Sequence, residues 1–441
     1  MVSRLALHNG IWMTRNQSPL DDDRLEEKIN VDRIEQRLND LWEIGRTSAG
    51  GVSRLAYSEA ENEAHEYLRA ELPEEYHVTI DPVGNLFATR FPDAPSTVLT
   101  GSHLDSVHNA GRLDGTLGTV ISLEAIEAVH TLVEEPDCPP TLAVFRAEES
   151  ARFGYHTIGS RAALSELDAE TLSATDQKGI PVWQAMKGAG FHPGDLSEPT
   201  VDMDRLAGFL EVHIEQGRLL DETGTNVGVV SSIRAPVRYR IRVEGESDHS
   251  GATPMTLRHD ALAAAGEMIW GIESVANSEA TRGDIVATVG DITAVNGAIN
   301  QVCGTVEFLL DIRSTDSAFR SGVEQDILAE LETIADRRDL TVEYELIDES
   351  EPVELSEAVR TKLIDSAEVA DSTYRTLPSG GGHDAMNFQL AEVPTGLLFV
   401  PSIDGISHNP NEQTTAEAID EATRTLAHAL ARRDGWPKEN E

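Results

Sequence analysis

Residues 97–150 read "TVLTGSHLDSVHNAGRLDGTLGTVISLEAIEAVHTLVEEPDCPPTLAVFRAEES", and their pattern decides the fold. "TVLTGSHLDS" is a short run with the character of a buried strand. "TLGTVISLEAIEAVHTL" continues as a helix, and "TLAVFRA" is a second apolar strand. Strand, helix and strand at this spacing read as a βαβ unit, whose two strands lie parallel in one sheet. The stretch ends on two adjacent glutamates, Glu148 and Glu149, where the second strand stops. Burying two neighbouring carboxylates without partners is unfavourable, so the pair needs a chemical reason.

Upstream, Val31, Ile34, Leu38, Leu41 and Trp42 fall at helical spacing, and "SEAENEAHEYL" opens with a capping-box pattern from Ser58 to Glu61. Strand-like "VTIDPVGNLFATRF" leads into the βαβ unit. Residues 1–30 are polar and read as a loosely ordered extension. Downstream, roughly 166–205 reads as a polar, loop-rich stretch before the strand "GFLEVHIEQG". From about 228 the texture changes. "VRYRIRVEGE" alternates with period two, as a half-exposed antiparallel strand does. The elements up to "LTVEYELID" complete a compact α+β block, and βα texture then returns and closes on the helix "TTAEAIDEATRTLAHALARR". The expected fold class is α/β: a mostly parallel-sheet, discontinuous domain (1–227 and 350–441) carrying an inserted, smaller α+β domain (228–349).

A chain of 441 residues is long enough for two such domains. No run approaches the roughly 20 apolar residues of a membrane span, and the start lacks the apolar core and cleavage site of a signal peptide. Two cysteines, Cys138 and Cys303, suggest no disulfide framework, and a buried structural role is expected for Cys303. A cytoplasmic location is the default expectation. The net charge is −42, from 35 Lys+Arg against 77 Asp+Glu, and lysine is confined to Lys28, Lys178, Lys187, Lys362 and Lys438. An acidic, lysine-poor surface stays hydrated in strong salt, which screens its self-repulsion; this reads as a halophilic surface. Apolar periodicity through most of the chain argues against an acidic disordered protein. Without a basic patch, neither nucleic acid nor membrane is an expected partner.

In open parallel sheets, ligands gather at the carboxyl ends of the strands. "SHLDS" supplies His103 and Asp105 there, "GRLDGTLG" supplies Asp114, and "HIEQG" supplies His213 and Glu215. "AEES" adds Glu148 and Glu149, and "DGISHNPNE" adds His408 and Glu412 from far downstream. Taken singly, each has a plain structural explanation: a hydrogen-bonded histidine, a turn aspartate, a solvated glutamate pair. Together on one plausible edge they form a mixed His/carboxylate set, which suits Zn²⁺ or another first-row metal. Asp105, two residues from His103, is placed to accept that imidazole's second N–H.

The motifs "GSHLDSVHNAGRLDGTLG", "EESARFG", "HIEQG", "DHSGATPM", "SGGGHDA" and "PSIDGISHNPNE" occur in an order that resembles the hydantoinase/carbamoylase branch of the M20 metallohydrolases. That branch includes N-carbamoyl-L-amino acid amidohydrolases, allantoate amidohydrolases and β-ureidopropionases. The resemblance implies a site for two divalent metals, zinc first, with manganese, cobalt or nickel as alternatives. Asp114 would bridge them, with His103 and His213 on one and Glu149 and His408 on the other. Glu148 would be the catalytic acid and base, and His249 would stabilise the developing oxyanion. Gln216, Asn300, Arg313, Gly382 and His383 would bind substrate, with Asp384 beside them. Arg313 would grip a carboxylate bidentately. The inserted domain would act as lid and homodimer contact.

The short spacing from His103 to Asp114, and a histidine in "HIEQG" where the peptidases typically use a carboxylate, favour ureido compounds over dipeptides. Departures from the branch's usual wording, "DHSGATPM" and "NQVCG", touch pocket shape more than the proposed functional residues. The expected activity is therefore metal-dependent hydrolysis of the C–N bond of a carbamoyl or ureido group on a carboxylate-bearing small molecule, by attack of a hydroxide held between two metals. An aminoacylase or peptidase acting on N-acyl amino acids or dipeptides is the alternative. A metal-holding binding protein or a scaffold fits less well with an intact Glu148 and a complete ligand set.

Overall fold

The computed structural model describes residues 22–132, 138–194, 196, 198–431 and 436. In chain order it begins with α1 (Asp22–Glu26), α2 (Val31–Glu43), α3 (Glu59–Glu71), β1 (His77–Ile80), β2 (Leu86–Thr89), β3 (Thr97–His103), α4 (Thr116–Leu132) and β4 (Pro140–Phe145). Three short helices follow, α5 (Ile158–Ala163), α6 (Ala169–Ser173) and α7 (Val182–Gly188), then β5 (Leu206–Ile214), α8 (Leu219–Thr223) and β6 (Val227–Ile233). The next block is β7 (Ala235–Glu244), β8 (Asp248–His249), α9 (Ala261–Glu279), β9 (Val286–Ala294), β10 (Gln301–Val302), β11 (Thr305–Ser314), α10 (Ser317–Arg337) and β12 (Thr341–Glu349). The chain closes with β13 (Val353–Glu354), α11 (Glu357–Val369), β14 (Tyr374–Ser379), α12 (Asp384–Leu390), β15 (Thr395–Val400) and α13 (Ala416–Ala431).

The larger sheet has nine strands in the order β1-β2-β4-β3-β5-β15-β6-β13, with β14 beside β6. Its centre is parallel: β3 pairs with β4 and β5, and β5 with β15. Its margins are mostly antiparallel, through β1–β2–β4 on one side and β15–β6–β13 on the other. Strands β4 and β15 are buried at every position, as strands covered on both faces must be. α4 is buried along nearly its whole length and packs with α13 into the main apolar core. This is the βαβ unit expected from residues 97–150.

Three expectations need correction. The inserted domain starts later than residue 228, because β6 pairs with β13, β14 and β15 in the larger sheet and the antiparallel sheet begins only at β7. The stretch 166–205 is not simply loop: α6 and α7 lie in it, just after α5. α6 is capped by Asp168, which accepts the Thr171 N–H at 2.6 Å, and α7 starts after Pro181. Helices of five to seven residues are too short to show a periodic signal. Of the N-terminal stretch 1–30, residues 1–21 lie outside the described residues; from Asp22 the chain forms α1, and Leu25 is buried in the main core. The capping box at α3 forms with a variation. Ser58 accepts the Glu61 N–H, while the Glu61 carboxylate reaches the Tyr57 N–H and the buried Arg146.

The block from β7 to β12 builds a separate four-stranded antiparallel sheet, β12-β7-β11-β9. α9 and α10 cover it and share an apolar core with it that includes Ile241, Met268, Phe308 and Ile327. Cys303 is buried in that core, with its Sγ 3.2 Å from the Thr305 carbonyl. The fold is thus mixed α/β, with a large, mostly parallel sheet and an additional antiparallel one. Among the described residues, no helix is long and apolar enough to cross a membrane.

Candidate metal centre

Four adjacent parallel strands end at one place. His103 is the last residue of β3, and Glu148 and Glu149 follow β4. His213 lies near the end of β5, and His408 follows β15. Asp114 enters from the loop before α4. Gly115, at φ +62°, lets that loop pass beneath His103: a Cβ there would lie 2.4 Å from the His103 ring.

Asp114 is the hub. Its Oδ1 lies 3.6 Å from His103 Nε2 and 3.2 Å from His213 Nε2, and its Oδ2 lies 3.3 Å from His408 Nε2. Glu149 Oε1 is in turn 3.3 Å from His408 Nε2. Two groups of potential metal ligands result, His103–Asp114–His213 and Asp114–Glu149–His408, each with ligand atoms within 4.8 Å of one another. The structure therefore brings together the five residues that the sequence marked as ligands.

The donor chemistry fits cations. His103 Nδ1 donates to the Asp105 carbonyl at 3.1 Å and His213 Nδ1 to the Ile214 carbonyl at 2.9 Å. A ring that donates from Nδ1 presents its Nε2 lone pair to a metal. His103 Nε2 and Glu149 Oε1 are buried without a hydrogen-bond partner, although buried polar atoms are almost always satisfied. Burial works against a charged His103, yet Asp105, Glu148 and Asp114 together raise its pKa well above the ordinary value. So much negative charge in one buried site calls for positive charge.

The two glutamates take different places. Ala147, at φ +54°, bends the chain after β4, and the Asp105 carboxylate pins the next two residues. Its Oδ1 accepts the Glu148 N–H and its Oδ2 the Glu149 N–H, both at 3.0 Å. Asp105 Oδ1 also lies 3.4 Å from His103 Nδ1, so this carboxylate holds the glutamate turn as well as facing the imidazole. Glu148 Oε2 lies 3.7 Å from His103, whereas Glu149 stands beside His408. Burial, opposed by His103 and reinforced by the Glu149 charge, pushes the Glu148 carboxyl well above the usual carboxylate range.

A cleft of about 620 Å³ opens beside His408 and is lined by Gln216, Arg234, Arg313, Gly380 and Gly381, among others. Gln216 donates from Nε2 to Asp114 Oδ2 at 2.8 Å. Arg313 donates to the Gly380 carbonyl at 2.7 Å and meets both oxygens of Asp311. This ties the antiparallel sheet to the mouth of the cleft. Gly382 approaches His156, where a Cβ would lie 3.6 Å from the ring. His383 is buried beneath His213, with ring centroids 4.6 Å apart and its Nε2 3.0 Å from Ser379 Oγ. Asp384 is buried against Ser160, and burial raises its pKa to about 8.

The structure does not bring His249 to the ligand cluster. It is exposed on β8, paired in register with Gln301 of β10, and its Nδ1 accepts the Gly251 N–H at 3.1 Å. The exposed Asn300 supplies its carbonyl to the Ser250 N–H in the same corner. Three supporting residues carried no assigned role. Glu412 Oε2 accepts the N–H groups of Leu113 (2.7 Å) and Asp114 (3.1 Å), locking the bridging loop. Ser407 Oγ donates to Asp114 Oδ2 at 3.0 Å. Glu211 is buried and binds Ser102 Oγ and the Ala385 N–H. The one signal available was Glu412's place in the His408 motif.

A family model described as peptidase family M20/M25/M40 matches residues 99–432. The chain is 37% identical over 407 residues to an N-carbamoyl-L-amino acid amidohydrolase of Geobacillus stearothermophilus, covering 91% of this chain and 98% of that protein. It is 33% identical to an allantoate amidohydrolase of Escherichia coli K12, covering 90% and 96% respectively. Among solved structures, it resembles a hydantoinase/carbamoylase family amidase from Burkholderia multivorans with a TM-score of 0.84 at 31% identity, covering 92% of this chain and 98% of that one.

Proposed function

The chain belongs to peptidase family M20/M25/M40, with its resemblances in the hydantoinase/carbamoylase branch, and it is a hydrolase of linear amide C–N bonds; from that premise we propose that it cleaves the ureido group of a carboxylate-bearing small molecule. An N-carbamoyl-L-amino acid or allantoate is the proposed substrate. The observation that carries this reading is the bridging geometry of Asp114, whose two oxygens face two different sets of ligands, with buried Glu148 alongside.

His103 and His213 with Asp114 would hold one cation, and Glu149 and His408 with Asp114 the other. Two such ions, zinc first, supply Lewis acidity toward the scissile carbonyl and lower the pKa of water. Glu148 takes the proton of the attacking water and returns it to the leaving nitrogen. A carboxyl raised above the usual carboxylate range holds the proton more firmly until the leaving nitrogen takes it. On lid closure Arg313 exchanges its Asp311 contacts for the substrate carboxylate, with Asn300 brought beside it, and Gln216, Gly382 and His383 shape the pocket. Asp105 keeps His103 and the glutamate turn in place. His249 is the oxyanion donor, reaching the site when residues 228–349, less the β6 residues held in the larger sheet, close as a lid over the domain formed by 1–227 and 350–441, or from a second copy in a homodimer. A halophilic, cytoplasmic enzyme accords with the −42 charge and the scarcity of lysine.

A substrate panel tests the reading. Incubated with zinc, manganese, cobalt or nickel in high salt, the enzyme should release ammonia from N-carbamoyl-L-amino acids or allantoate faster than amine from N-acyl amino acids or dipeptides. The opposite order would establish the aminoacylase or peptidase alternative.

A further inference from the structure

The cleft beside His408 holds three arginines, Arg218, Arg234 and Arg313, in a chain of net charge −42. Two of them hold a carboxylate of the chain in this structure. Arg313 meets both oxygens of Asp311, and Arg234 meets both oxygens of Asp284. The cleft's own carboxylate, Glu215, is occupied with the N–H groups of Leu219 (2.8 Å) and Leu220 (2.9 Å). Arg218 differs. It makes no ion pair among the described residues, and its Nε donates at 2.7 Å to a neutral acceptor, the Asp404 carbonyl.

Arg218 is nevertheless built into place. Its stem lies against Gly405, at φ +67°, where a Cβ would sit 2.3 Å from Arg218 Cγ. The chain is therefore shaped at Asp404–Gly405 to seat this side chain. The Nε hydrogen bond sets the plane of the guanidinium, and both Nη groups are left for a ligand. A planar pair of N–H donors matches a carboxylate. Arg218 follows Gln216 by two residues, and Gln216 bonds Asp114, so the free fork stands on the same short segment as the ligand centre.

We infer that Arg218 selects substrates carrying a second anionic group, in addition to the carboxylate assigned to Arg313. This rests on the ureido-hydrolase reading above and narrows it to N-carbamoyl derivatives of dicarboxylic amino acids. Arg218 is exposed, so the preference is sensitive to ionic strength.

The test compares N-carbamoyl-L-glutamate with N-carbamoyl-L-methionine, a neutral side chain of similar length, for the wild type, Arg218→Ala and Arg218→Lys. The wild type should favour the glutamate compound. Arg218→Ala should cut the glutamate-to-methionine ratio of kcat/KM by about 10- to 100-fold, chiefly through KM, as loss of a charge-assisted hydrogen bond does. Arg218→Lys should retain part of the preference, and rising salt should narrow the gap between wild type and Arg218→Ala. A ratio unchanged in Arg218→Ala, or equal losses on both substrates, overturns the inference while leaving ureido hydrolysis intact. If the wild type turns over neither compound nor allantoate, the ureido reading fails and the inference fails with it.

Discussion

Two clusters of buried ionisable side chains, both reached from α4, are finished in opposite ways. Between α2 and α4, Glu124 is fully buried, and its oxygens accept from Asn30 N, Arg33 Nε, Arg33 Nη2 and Arg37 Nη1 at 2.7–3.4 Å. Glu127 beside it takes Arg37 Nη2 at 2.9 Å, and Glu71 takes Arg37 Nε at 3.4 Å. Beyond the N-terminal end of α4, Glu148 and Glu149 are buried with no arginine partner among the described residues, and Glu149 Oε1 and His103 Nε2 lack hydrogen-bond partners there. A guanidinium that satisfies a buried carboxylate serves the fold. Carboxylates and imidazoles facing one another, with atoms left unsatisfied, are arranged for something the chain does not itself supply.

The sharpest way to break this contrast is Glu148→Gln. Turnover should fall by about 10²- to 10⁴-fold, the usual worth of a positioned acid and base, while metal content measured by elemental analysis and the unfolding midpoint stay near wild type. Substantial residual activity would remove Glu148 from proton transfer. The mirror experiment is Glu124→Gln. Arg33 and Arg37 lose the charge they share, but Arg37 keeps Glu127 and Glu71, so the fold should be destabilised by about 1.5–3 kcal/mol in denaturant unfolding, with kcat per folded molecule preserved. Lost activity without lost stability would erase the distinction between the clusters.

A smaller effect sharpens the comparison through pH. His130, near the C-terminal end of α4, is buried with its Nδ1 2.7 Å from the Tyr76 hydroxyl. Burial first, then the Arg90 charge, lowers its pKa to about 4. Between that value and the ordinary 6.5 the unfolded chain binds the proton more readily than the folded one. Its contribution is therefore complete above pH 6.5 and is lost as pH falls through about 4. Wild type should lose about 2 kcal/mol more than His130→Phe between pH 7 and pH 5, measured by denaturant unfolding at both pH values. Identical pH dependence in the two proteins would refute a neutral, buried His130.

Much of this was legible in the sequence because it is local. The period of the apolar residues identified α2, α4 and the strands flanking α4. The switch to period-two alternation marked the antiparallel sheet, since a sheet with one solvated face must alternate. Residue types at strand ends marked the candidate ligands. The short helices α5–α7 escaped because five to seven residues span under two turns. The roles of Glu412 and Ser407 escaped because they act on Asp114 from nearly 300 positions away, through contacts that no spacing encodes.

Sequence by itself determined which residues could bind metal, that Glu148 and Glu149 stand side by side, and that the chain is strongly acidic. These are properties of composition and short-range pattern. Only tertiary structure decided how the two glutamates part. The left-handed turn at Ala147 and the Asp105 carboxylate set one beside His103 and the other beside His408. It also decided that β3, β4, β5 and β15 would lie next to one another, and that Arg218 would be the arginine of the cleft without a carboxylate. Strand order and ion pairing are settled by contacts between distant segments, and those contacts exist only once the core has closed.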